Sequence, residues 1–198
     1  MYRIRHSARK ESVGYYAKKK TPRYIERDER EREKFIEELN ALPEDAQIYY
    51  ADESGFDEYY SRDYGYAPRN ERVYGEISGT HFARTSVIAA ILCNVFIAAF
   101  AYKGFMNGDL FEGWLLHVFV PCLNNPGKSY LFIDNATHHR KDAIYEIADE
   151  HGFNVIFLPK YSPDFNPIEK KWANVKNRLR LHLHKFNDFW DALKFAFQ

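Results

Sequence analysis

Three acidic residues stand out by where they fall. Asp52 closes the apolar run of "IYYAD", Asp134 closes that of "LFID", and Glu169 follows "SPDFNPI" at the start of an amphipathic stretch. Two strands ending on aspartate would, as neighbours, present both carboxylates at one edge of a sheet, and α/β sheets bind ligands beyond the carboxyl ends of their strands. Three carboxylates held close together repel one another, and their proton affinities rise, unless a cation lies among them. Oxygen donors with no thiolate and no His pair at zinc spacing favour magnesium or manganese. Two such ions about 4 Å apart activate an attacking oxygen and stabilise a leaving one. The chemistry open to these residues is metal-assisted cleavage or transfer of a phosphodiester.

Each residue type also admits a plainer role. Asp52 and Asp134 could be strand-end turn formers, and Glu169 could be the capping-box partner of Asn166. His138 and His139 could ligate a metal or simply lie on the surface or at a helix start. Trp172 fits a core position better than a base-stacking platform. Lys160, Lys170, Lys171, Lys176, Arg178 and Arg180 could contact DNA phosphates or form a solvated helix face.

The elements that would position these groups follow from periodicity. "ERDEREREKFIEELNALP" reads as a helix, with opposite charges three and four apart, an apolar stripe of Phe35, Ile36, Leu39 and Leu42, and Pro43 as its stop. "QIYYAD" reads as a short strand ending on Asp52, and Asp57 to Phe82 as a long excursion with short strands. Arg84–Cys93 and Asn94–Tyr102 form a predicted hairpin, and "GDLFEGWLLHVFVPCL" has helical spacing. "SYLFID" is a predicted strand, "RKDAIYEIADEHG" a helix stopped by Gly152, and "FNVIFLP" a further strand. The next helix is expected from Asn166, with Asn166 as cap, Pro167 in the first position and Glu169 in the third. "FNDFWDALKFAF" should be a terminal helix. Adjacent early strands call for antiparallel pairing, and later strand–helix–strand units for parallel strands joined by right-handed crossovers. A mixed sheet with helices on its faces results.

Lys plus Arg and Asp plus Glu number 28 each, so the formal net charge is zero. That excludes a surface that is a polycation throughout. The charge is unevenly spread, however. Met1–Lys20 and Lys160–Lys185 are basic, whereas Glu37–Asp63 is acidic. Cys93 and Cys122 lie among apolar residues, which predicts buried thiols in a reducing compartment. The longest apolar run, Val87–Tyr102, is too short for a membrane helix and contains Asn94. No membrane association is expected.

The segments "YYADESGF", "FIDNATHH" and "LPKYSPDFNPIEKKW" together resemble the DDE transposases, specifically bacterial insertion-sequence enzymes related to the mariner superfamily. The thirty-four residues between Asp134 and Glu169 fit this branch, and "YGYAPRNERV", "FEGWL" and "ERDERERE" extend the likeness from about Lys18 onward. The resemblance implies a ribonuclease-H-like α/β fold with three antiparallel strands followed by parallel ones. It implies Asp52, Asp134 and Glu169 as catalytic ligands of two Mg2+ or Mn2+ ions, with transposon ends and target DNA as substrates. Water would attack at the transposon end, and the freed 3′-hydroxyl would then attack target DNA, often at TA. A homodimer in the cytoplasm, associated with the nucleoid, is expected. Residues 1–45 would be a basic arm and linker helix following a missing helix-turn-helix domain, and 46–198 the catalytic domain. A separately encoded helix-turn-helix protein could then be a partner. The alternatives are a catalytically silent remnant that only binds DNA or protein, and a ribonuclease-H-like nuclease acting on hybrids or junctions.

Overall fold

The computed structural model describes residues 24–58, 66–72, 74 and 84–198. The predicted basic arm and most of the predicted excursion lie outside them. Asp28 opens helix α1 (Glu29–Asn40) by accepting hydrogen bonds from the backbone N–H groups of Arg30 and Glu31. Strand β1 (Gln47–Asp57) pairs antiparallel with β2 (Arg84–Leu92), and β2 pairs antiparallel with β3 (Val95–Tyr102). The β2–β3 connection is Cys93 and Asn94, whose φ values of 48° and 67° suit a tight two-residue hairpin turn. Helix α2 (Gly108–Trp114) runs into a π-helical turn at Leu115–Phe119 and a 3-10 turn at Val120–Cys122.

After β4 (Ser129–Ile133), helix α3 (Lys141–His151) ends at Gly152, whose φ of 72° is the left-handed closure that glycine adopts without penalty. β5 (Asn154–Phe157), α4 (Ile168–His182) and α5 (Phe189–Phe197) complete the chain. β4 lies parallel to β1, and β5 lies parallel to β4, so the order across the sheet is β3-β2-β1-β4-β5. This is the mixed sheet expected from the sequence.

Alternation along the strands buries both faces of the sheet. Tyr49, Ala51, Ile88, Ala90, Leu131 and Ile133 pack under α2, the π turn and α3. On the other face Phe56, Val87, Ala89 and Ile91 pack under Ile168, Trp172, Val175 and Leu179 of α4 and the apolar side of α5. Each buried leucine or isoleucine of this kind is worth about 2–5 kcal/mol against alanine. Beside α4, helix α1 covers Phe132 and Leu158 with Phe35. Its Arg32 reaches Asp164 with two hydrogen bonds of 2.9 and 2.6 Å and lies 4.0 Å from the Phe165 ring. Among the described residues no helix is long and apolar enough to cross a membrane.

One local expectation is corrected. Cys93 and Cys122 are exposed rather than buried. Cys93 sits at a hairpin tip, and Cys122 ends a 3-10 turn, so apolar neighbours in sequence do not enclose either thiol. β3 also carries an irregularity. Ile88 pairs with Phe100 but Ala90 pairs with Ile97, which leaves one extra residue in β3. Ala98 takes a φ of 50° there, and its carbonyl accepts a 2.8 Å hydrogen bond from Trp114 Nε1.

Candidate active site

The three carboxylates arrive from β1, from the end of β4 and from the first turn of α4. Asp52 was expected at a strand end, yet it lies in the middle of β1, because β2 continues to pair with β1 as far as Asp57. β4 is what stops early. Its pairing with β1 runs to Tyr50 and Phe132, and two more residues in the same register bring Asp52 level with Asp134. Asp52 faces α4 with its cross-strand partner Ala89, since Ala89 belongs to the core beneath that helix.

The Pro-rich turn delivers Glu169. Pro163–Phe165 forms a 3-10 turn, and Pro167 has helical dihedrals, which places Glu169 in the first turn of α4. The predicted Asn166 cap does not form. The N–H of Asn166 donates to the Pro163 carbonyl at 2.9 Å, and its buried Oδ1 has no hydrogen-bond partner among the described residues. That N–H is therefore already used, which leaves Glu169 no capping-box role.

Asp134 and Glu169 line one open cavity of about 470 Å3, together with Asn135, Pro159, Lys160, Tyr161 and Tyr24. Asp52 is not in that lining and lies deeper on β1. It nevertheless feels both of the other acids. Burial first, then Glu53, Asp134 and Glu169, push its carboxyl up to about 8. Burial, then Asp134 and Asp164, raise Glu169 as well. The structure thus brings together the three acids named from the sequence.

Asp134 is held by its surroundings. Its Oδ1 accepts from the Ala136 N–H at 3.2 Å, and its backbone carbonyl lies 3.1 Å from His139 Nδ1. His139 is no surface residue. Its side chain is 2% exposed, packed 4.2 Å from the Phe111 ring, and burial holds its imidazole below the ordinary value despite Asp134.

The six basic residues named from the sequence do not form one patch. Lys160 is on the cavity rim. At 3.6 residues per turn, Lys176 and Arg180 come round to the flank of α4 that carries Glu169, and Lys176 lies over Phe56 at 5.8 Å. Lys171 and Arg178 fall on the opposite flank, where they line a separate hollow with Asn94 and Phe197. Lys170 points outward between the two flanks and is exposed.

Three features were missed in the sequence. Glu53 lies 3.4 Å from His138, Arg32 clamps Asp164, and Tyr161 holds a left-handed φ of 55° beside the cavity while packing against Tyr24. Only the strained Tyr161 had a signal, a residue followed by Ser-Pro in a turn.

No curated protein sequence matches the chain. Among solved structures it is similar to the Mos1 strand transfer complex, with 14% identity, a TM-score of 0.64, and coverage of 93% of this chain and 63% of that one. It is also similar to the Mos1 mariner paired-end complexes with Mn and with Mg, with TM-scores of 0.62 and 0.60 at 15% and 16% identity. Each of those comparisons covers 93% of this chain and 64% of the other, so the chain spans less than two thirds of these structures' length. These likenesses give the ribonuclease-H-like fold. Residues 47–191, which include all three acids, match the family described as DDE superfamily endonuclease, and the chain belongs to that family.

Proposed function

We propose that the chain is a transposase catalytic domain that cuts DNA at transposon ends and joins them to a target, with Asp52, Asp134 and Glu169 as ligands of two Mg2+ or Mn2+ ions. One observation carries this: the β1–β4 register sets Asp52 level with Asp134, and Asp134 shares one cavity with Glu169, so three acids from separate elements converge. Such a cluster fits divalent cations, which relieve the repulsion, and its all-oxygen donor set suits hard ions. When bound, such an ion pair supplies positive charge to the attacking and leaving oxygens of an in-line displacement. The Mos1 paired-end complexes with Mn and with Mg support the same choice.

The chain's own groups bind and orient. Asp52 comes from the sheet floor, Glu169 from α4, and Asp134 from the rim, where His139 and the Ala136 N–H fix its direction. Lys160 on the cavity rim meets phosphate, as do Lys176 and Arg180 along the Glu169 side of α4 and Lys170 on its outward face. Lys171 and Arg178, on the far flank, serve a second stretch of DNA. Water adds to phosphorus, the P–O3′ bond breaks, and the 3′ oxygen leaves protonated. That 3′-hydroxyl then attacks a target phosphodiester, forming one P–O bond and breaking another. Transposon ends, a homodimer on paired ends and a helix-turn-helix partner complete the proposal. The Mos1 paired-end complexes support the pairing.

The test is nicking and strand transfer on DNA built from the sequence on either side of the coding region, with Mg2+ or Mn2+. Asp52→Ala, Asp134→Ala and Glu169→Ala should each abolish both steps in folded protein. Undiminished cleavage in any one of them removes that residue from the mechanism. An inactive wild type that still binds DNA but takes up no Mn2+ by calorimetry would favour a silent binding role instead.

A further inference from the structure

Asp52 and Glu53 are consecutive in β1, so they face opposite sides of the sheet. Asp52 looks toward α4. Glu53 pairs across the ladder with Ile88, which belongs to the core beneath α2, and there it meets two histidines from the turn after β4. One donor atom each from Glu53, His138 and His139 lie within 4.8 Å of one another. Glu53 Oε1, His138 Nε2 and His139 Nε2 are all buried and have no hydrogen-bond partner among the described residues.

The geometry points to a third metal site, separate from the Asp52–Asp134–Glu169 cluster: Glu53 Oε1, His138 Nε2 and His139 Nε2 bind one zinc-class divalent ion. The site does not depend on the function proposed above. Donor atoms each about 2.1 Å from a tetrahedral ion stand about 3.4 Å apart. His138 Nε2 and Glu53 Oε1 are 3.4 Å apart. His139 is prepared for ligation by its other nitrogen. Its Nδ1 lies 3.1 Å from the Asp134 carbonyl oxygen, which can only accept, so Nδ1 carries the proton and Nε2 presents a lone pair. Metal-bound histidines commonly have this kind of outer partner. At 2% exposure the His139 ring is held by Phe111 and has little freedom to turn its nitrogen to water.

The donor set decides the class of ion. Two imidazoles and one carboxylate suit Zn2+, Co2+ or Ni2+, whereas Mg2+ seeks oxygen and water in an octahedron. Three protein ligands leave a fourth position open. The ion would tie the middle of β1 to the turn that carries Asp134, and its work is therefore to hold that turn.

The test uses the full chain, stripped of metal and kept in excess Mg2+, which competes poorly for imidazole. Co2+ is titrated in while its visible absorption and the amount bound at equilibrium are followed. One Co2+ per chain, displaced by Zn2+, is expected, and Asp52→Asn should leave that uptake in place. His138→Ala and Glu53→Gln should each weaken it about a hundredfold or more, since even outer partners of metal ligands cost 10–100-fold. Zn2+ should raise the melting temperature of the wild type and not that of His138→Ala. His138 is partly exposed, so its truncation spares the core; circular dichroism checks the fold of both variants. Absence of stoichiometric Co2+ uptake in the wild type overturns the site. So does uptake unchanged in folded His138→Ala and Glu53→Gln, or uptake abolished by Asp52→Asn, which would locate the ion at the other carboxylates.

Discussion

Replacing Asp52 by Asn should make the metal-free protein more stable, and the gain should depend on pH. The carboxyl is pushed up to about 8 in the folded chain, against about 3.9 for an unfolded aspartate. The folded state therefore holds the proton more tightly, and stability falls as pH rises from about 4 through about 8. At pH 7 roughly three pH units of that window have been crossed. At about 1.36 kcal/mol per unit, the ceiling is about 4 kcal/mol. Relaxation and water penetration reduce such penalties, so about 2 kcal/mol is expected. For a chain of this size that corresponds to a rise of about 4–8 °C in melting temperature. The assay is thermal unfolding of wild type and Asp52→Asn in chelator at pH 4.5, 7 and 8.5. The curves should nearly coincide at the lowest pH and separate toward the highest. Added Mg2+ should then stabilise the wild type by mass action and leave the variant nearly unmoved. A destabilised variant, or the same offset at every pH, would refute the claim that burial and neighbouring acids strain this carboxylate.

Arg32→Met should cost about 1–2 kcal/mol, less than a buried charged pair because Asp164 is half exposed. Its hydrogen bonds to Arg32 hold the Asp164 carboxyl below its usual value, so this stability is present above about pH 4 and is lost as pH falls through the folded value. Urea melts should show the gap between wild type and variant closing in acid. Cys93→Asn should raise the melting temperature by about 1–2 °C, roughly 0.5 kcal/mol, because asparagine tolerates the left-handed first position of this hairpin turn better than cysteine. A fall in melting temperature would argue against that turn geometry.

Much of the frame was legible because it rests on local rules. The apolar runs ending at Asp52 and Asp134 marked two strands that do lie side by side. Cys93-Asn94 marked a hairpin, and Gly152 a helix end. Where pairing over distance decides, the sequence was silent. "DESGF" lacks an apolar run, yet it extends β1 because the partner strand β2 is long enough to hold it. Arg32 is one of several like-charged residues in "ERDERERE", and only the docking of α1 distinguishes it. Glu53 was hidden by its neighbour Asp52. Its meeting with His138 and His139 depends on the sheet face and on the β1–β4 register, which spacing alone does not reveal. The Asn166 side-chain cap fails because the Glu169 N–H donates to the Asn166 backbone carbonyl, at 3.3 Å, rather than to Oδ1.

The kink in β3 bears on how copies of the chain can associate. Among the described residues β3 is an outer strand, and outer strands with a regular row of free N–H and C=O groups recruit other strands. Here the added residue breaks the row, and the Ala98 carbonyl is turned inward to the Trp114 indole. The opposite border, β5, offers only four residues. Neither margin, among the described residues, is a good template for a continuous intermolecular sheet, which protects the chain from sticking edge to edge.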